Sequence, residues 1–72
     1  MNKQLLRAHM VKNGDTQQKL AEALGITLSR LSERINGRGT EFRQSEIQTI
    51  KTRYSLTDEE VADIFFDESV AS

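Results

Sequence analysis

The side chains best suited to chemistry are concentrated in residues 28–38, LSRLSERINGR. Arg30 falls in the first turn of a predicted short helix, where a cation opposes the helix dipole at a cost of roughly 0.3–1 kcal/mol. A bound phosphate or guanine would offset that cost, and a simply solvated arginine is the alternative. Arg34 and Arg38, on either side of Asn36, are placed to steer toward a phosphate backbone. Leu28 and Glu33 cut the other way. Leucine reaches only a thymine methyl in a groove, and glutamate accepts from cytosine N4 but repels phosphate. An exposed leucine beside Arg30, Glu33 and Arg34 equally resembles a small protein-binding hot spot. DNA and protein both stay open as ligands of this segment.

Little else in the chain suggests reactivity. There is one histidine, His9, with no Ser, Cys or carboxylate arranged around it, so it reads as a surface residue. The chain has no cysteine, which excludes a disulfide or thiolate metal site. No metal-ligand cluster, glycine-rich phosphate loop or nucleophile motif is visible. The expectation is no enzyme activity, no metal, no cofactor and no small-molecule substrate.

The reactive segment needs a scaffold, and Thr16 to Gly37 supplies it. Leu20, Ala21 and Leu24 share one helical face, Gly25 permits a positive φ, Thr27 restarts a helix, and Leu31 and Ile35 line a second stripe. Ala21 is small where two helices cross closely, and Ile26 can plug the space between them. This is the sequence form of a helix-turn-helix.

At 72 residues the chain is one domain, burying about 60% of its unfolded surface. Its apolar runs are two or three residues long, too short for a membrane span or signal peptide, so a cytoplasmic protein is expected. Charge is uneven. Residues 1–53 hold ten Lys and Arg against five acids, a net +5, while residues 54–72 hold six acids and no base, a net −6. The first part can present a basic footprint; the end repels phosphate or attracts a basic partner.

Periodicity predicts helices over about Asn2 to Asn13, from Thr16 to about Leu24, after Thr27 to near Asn36, over about Gln44 to Tyr54, and from Thr57 onward. Gly14 and Gly37 suit left-handed helix ends, and Arg38 to Glu41 reads as a loop. The fourth helix has a weak N-cap, since Arg43 stands where Ser or Thr would pair with Glu46. The fifth has a capping box, Thr57 with Glu60, and a hydrophobic staple, Leu56 with Val61. The expected core is Leu6, Met10, Leu20, Ala21, Leu24, Ile26, Leu31, Ile35, Ile47, Ile50, Val61, Ile64 and Phe65. Phe66 points away from Phe65, toward the chain end or toward a dimer or partner contact. The expected organisation is a helix-turn-helix domain over 1–66 and an acidic, flexible tail over 67–72.

Five short helices around Thr16-Gln17, Leu20-Ala21, Leu24-Gly25-Ile26 and Leu31-Ser32 through Asn36-Gly37 resemble the lambda-repressor-like domain of phage Cro and repressor proteins. With NGDTQQKLAEALGI, a short basic loop and a terminal IFF, the chain is similar within that family to the modulator-of-repression, or anti-repressor, type of Gram-positive temperate phages. The resemblance implies an all-α DNA-binding domain. It makes Gln17 and Asn36 phosphate contacts and turns Leu28, Ser29, Arg30 and Glu33 toward the groove.

A phage-type transcription regulator of a lysis–lysogeny switch is therefore expected, in the cytoplasm of a host bacterium. It would contact double-stranded operator DNA through Gln17, Ser29, Arg30, Glu33, Arg34, Asn36 and Arg38, a phage repressor through Leu28, Arg30, Glu33, Arg34 and Phe66, or both. The alternatives are a stand-alone Cro-like homodimer on a palindromic operator, with two recognition helices about 34 Å apart, or the antitoxin of a toxin pair.

Overall fold

The computed structural model describes residues 1–38 and 41–66, which form five helices and no strand. They are α1 (Lys3–Lys12), α2 (Gln17–Leu24), α3 (Leu28–Ile35), α4 (Gln44–Arg53) and α5 (Asp58–Phe65). Part of the expected loop, residues 39–40, and the expected tail, 67–72, lie outside the described residues.

Four helices start on a side-chain acceptor. Asn2 Oδ1 accepts from Leu5 N at 3.1 Å, Thr16 Oγ1 from Lys19 N at 3.1 Å, Thr27 Oγ1 from Arg30 N at 3.2 Å and Thr57 Oγ1 from Glu60 N at 3.1 Å. Each satisfies an N–H with no partner inside its helix. Glu60 Oε1 accepts in return from Thr57 N at 2.9 Å, completing the expected capping box. At α4, where Arg43 offers no acceptor, Glu46 Oε1 accepts the Arg43 N–H at 2.8 Å.

The ends of α1 to α4 share one geometry, in which a left-handed residue and its successor turn back onto the last carbonyls. After α2, Gly25 at φ +71° donates to Glu22 O at 3.1 Å and Ile26 N donates to Ala21 O at 3.0 Å. After α4 the left-handed residue is Ser55, at φ +53°. Its N–H reaches Thr52 O at 3.3 Å and Leu56 N reaches Lys51 O at 2.9 Å. A side chain in this conformation costs roughly 1–2 kcal/mol. The two hydrogen bonds and the buried Leu56 offset it.

These ends make turns tight enough for α2 to pack on α3 and α4, and for α5 to pack on α1 and α4. Leu6, Leu20, Leu31, Ile50 and Ile64 are fully enclosed, one from each helix. Three expected core residues, Leu24, Ile26 and Phe65, are half-buried at the margin instead, where Phe65 meets Phe42 edge-to-face at 5.4 Å. Tyr54 and Leu56 join the core in addition. His9, expected on the surface, has a side chain only 13% exposed, with Nε2 3.8 Å from Glu60 Oε2. Its place between α1 and α5 follows from the packing of those two helices.

Asp15 ties the α1–α2 turn to the end of α4. Arg53 Nε donates to Asp15 Oδ2 at 2.7 Å, Arg53 Nη2 to Oδ1 at 2.9 Å, and the Tyr54 hydroxyl to Oδ2 at 2.5 Å. The Arg53 hydrogen bonds hold the Asp15 carboxyl well below the usual carboxylate range. Burial, and then donation to Asp15, push the Tyr54 phenol above its ordinary value. A lowered acid stabilises the fold above its unfolded pKa, about 4, and that contribution fades as pH falls below it. The raised phenol stabilises below about 10 and is lost as pH rises beyond that. Stability should therefore plateau between about pH 5 and 9 and fall on both sides. Asp15→Asn should cost about 1–3 kcal/mol at neutral pH, flatten the acid limb and only lessen the alkaline one, since Tyr54 stays buried, as read by urea melts across pH.

Candidate nucleic-acid interface

In α3, Leu31 and Ile35 fall on the buried side, and the rest of the helix is ordered around them. Ser29, Glu33 and Asn36 recur at i, i+4 and i+7 and form the middle of the exposed face, with Leu28 and Arg30 flanking it. Gly25 and the Thr27 cap set the angle at which α3 leaves α2, so these side chains project from the surface. Leu28 is 47% exposed and offers apolar surface beside these polar side chains.

Arg34 departs from the expectation of a solvent-facing cation. It is 7% exposed and its Nη1 donates to Glu46 Oε2 at 2.7 Å, across the gap between α3 and α4. The Arg34 Nε is buried without a hydrogen-bond partner. It is unavailable to a phosphate or to a partner's surface as long as this pair holds. Helical spacing carried the signal: Arg34 is three residues from Leu31 and adjacent to Ile35, hence on the margin of the buried stripe. Its partner, twelve residues away, had shown only its capping role.

The other expected contacts are distributed as follows. Gln17, the first residue of α2, is half-buried, and Ser29, Arg30, Glu33 and Arg38 are exposed. Asn36 is exposed, but its Nδ2 donates to Ser32 O at 2.9 Å and to Ser32 Oγ at 3.3 Å. Its amide nitrogen thus caps its own helix. Phe66 is 56% exposed at the end of α5, and is not part of the α3 face.

The sequence pattern of the helix-turn-helix family matches residues 6–54, from α1 to the end of α4. The chain belongs to the lambda-repressor-like helix-turn-helix family. No curated protein and no solved structure matches it. The family is one of DNA-binding transcription regulators rather than a class of enzymes, and at that level this chain's function is a regulator's. Among the described residues no group of ligands is arranged to hold a metal, and no helix is long and apolar enough to cross a membrane.

Within that family architecture, Glu46 supplies the buried ion pair between α4 and α3. Truncating one partner of a buried pair leaves the other charge uncompensated, at about 3–5 kcal/mol. Glu46→Ala should therefore destabilise the domain by about that amount in urea melts, more than Arg30→Ala, whose side chain is exposed. Equal effects would contradict the structural role of the pair.

Proposed function

We propose that the chain is a phage-type regulator of a lysis–lysogeny switch, working in a host bacterial cell, and that the exposed face of α3 grips a partner repressor. The composition of that face carries the reading. With Arg34 turned inward, Arg30 and Glu33 balance in charge around Ser29, and Leu28 offers exposed apolar surface. A face that binds DNA unaided gains most of its affinity from cations along the phosphates. A neutral, partly apolar face is better matched to protein. A repressor's own DNA-reading surface is basic, so Glu33 complements it. This agrees with the anti-repressor type that the sequence resembles.

Direct operator binding is the second reading, favoured by Arg30 exposed at the start of α3 and by Arg38 beyond its end. Gln17 and Asn36 would then contact phosphates, and Arg30→Ala would weaken specific binding by about 1–3 kcal/mol.

Calorimetry with the DNA-binding domain of a repressor, where one is encoded beside this gene, separates the two. Wild-type protein should bind with measurable heat, Leu28→Ala should lose about 1–2 kcal/mol, and Glu33→Lys should weaken binding by setting like charges together. Both variants should melt like wild type, because both side chains are exposed. Unaltered affinity in both would remove α3 from the interface. No heat with wild type, together with salt-sensitive retardation of the intergenic DNA, would establish the direct reading instead.

A further inference from the structure

Asparagine followed by glycine occurs twice, as Asn13-Gly14 after α1 and Asn36-Gly37 after α3. The pair is chemically labile, because glycine has no side chain to hinder attack of its backbone nitrogen on the asparagine amide. Both copies share one folded geometry. Asn13 sits at φ −94°, ψ 7° and Asn36 at φ −87°, ψ 4°. Their Nδ2 atoms donate back into the helix, to His9 O at 2.7 Å and to Ser32 O at 2.9 Å. With ψ near zero, the glycine nitrogen eclipses the asparagine's own backbone nitrogen and stands away from Cβ. Attack therefore requires the helix end to open. The two ends are held differently. Gly14 N donates to Val11 O at 3.0 Å and Asp15 N to Met10 O at 2.8 Å. The Asp15 carboxylate is in turn clamped by Arg53 and Tyr54, so opening Asn13-Gly14 strains the junction with α4. Beyond α3, Gly37 N reaches Arg34 O at a longer 3.3 Å and Arg38 N reaches Glu33 O at 2.8 Å. Asn36, Gly37 and Arg38 are all exposed.

We propose that Asn36 is a site of spontaneous deamidation in the folded protein, and that the reaction turns the α3 face from charge-balanced to acidic. The Gly37 nitrogen bonds to Asn36 Cγ, and the side-chain nitrogen leaves as ammonia with the Gly37 amide proton. Water then opens the resulting cyclic imide at either carbonyl, leaving aspartate or isoaspartate at position 36. Ammonia is released and water consumed, with no change of oxidation state. The product no longer donates to Ser32 O and Oγ, so the cap on α3 is lost. A carboxylate takes its place at the negative end of the helix dipole. It joins Glu33 opposite Arg30, since Arg34 is turned inward. Such a face repels phosphate and favours a basic protein surface. The reaction is independent of which ligand unmodified α3 takes.

Ageing the intact protein at mildly alkaline pH, followed by trypsin digestion and mass spectrometry, tests this. Cleavage after Lys12, Lys19, Arg34 and Arg38 puts the two pairs on separate peptides, 13–19 and 35–38. In the folded protein, 35–38 should convert from amide to acid faster than 13–19 by about tenfold or more, reflecting its easier local opening. In urea, where neither helix end exists, the two rates should become similar. Native isoelectric focusing of the aged protein should show one main new acidic species, running beside the Asn36→Asp variant. Conversion of 13–19 as fast as 35–38 in the folded protein, no conversion of 35–38, or the same preference in urea would each overturn the proposal.

Discussion

One carboxylate does two jobs on which the binding face depends. Glu46 Oε1 accepts the Arg43 N–H and starts α4, while Oε2 accepts from Arg34 Nη1 and holds α3 against α4. Both charges are nearly withdrawn from water, so the attraction between them is offset by a large desolvation cost. Apolar residues of similar volume would serve stability as well. What an ion pair adds is geometry, because a guanidinium and a carboxylate meet favourably in few orientations. The pair thus fixes how α3 is turned, and which of its residues reach solvent.

That orientation bears on function. Turned outward, Arg34 would make the α3 face cationic beside Arg30; turned inward, it leaves Arg30 balanced by Glu33 and flanked by Leu28. The family's architecture is preserved throughout: a capped α2, a left-handed Gly25, a capped α3. The chemistry presented on it differs from that of a purely phosphate-seeking surface. A second polar anchor, Asp15 with Arg53 and Tyr54, closes the turn leading into α2 onto the end of α4. The two helices of the motif are therefore each tied to α4 by a different carboxylate.

Local signals in the sequence were enough for the helix boundaries. Thr16, Thr27 and Thr57 each cap a helix because the acceptor and its N–H are three residues apart, and Gly14, Gly25 and Gly37 end helices because their backbones take positive φ. Ser55 was not legible in this way, since serine gives no hint of a left-handed conformation that the packing of Leu56 secures. Long-range pairing was equally silent: Asp15 meets Arg53 across 38 positions, and Arg34 meets Glu46 across twelve. Periodicity identified which residues face inward but not how deeply, so Leu24, Ile26 and Phe65 proved marginal while Tyr54 proved central. The α3 residues Leu28, Ser29, Arg30 and Glu33 were read correctly as exposed, and Arg34 was not, because an arginine at the edge of an apolar stripe is buried only when a carboxylate elsewhere receives it.

Glu46 keeps Arg34 inside the fold, away from the surface that α3 presents. Proton exchange at arginine side chains, followed by nitrogen-15 NMR, tests it most directly. The Arg34 guanidinium protons should exchange slowly with water in the wild-type protein and rapidly in Glu46→Gln, while those of exposed Arg30 exchange rapidly in both. Arg34 protons exchanging as fast as those of Arg30 in the wild-type protein would contradict the account.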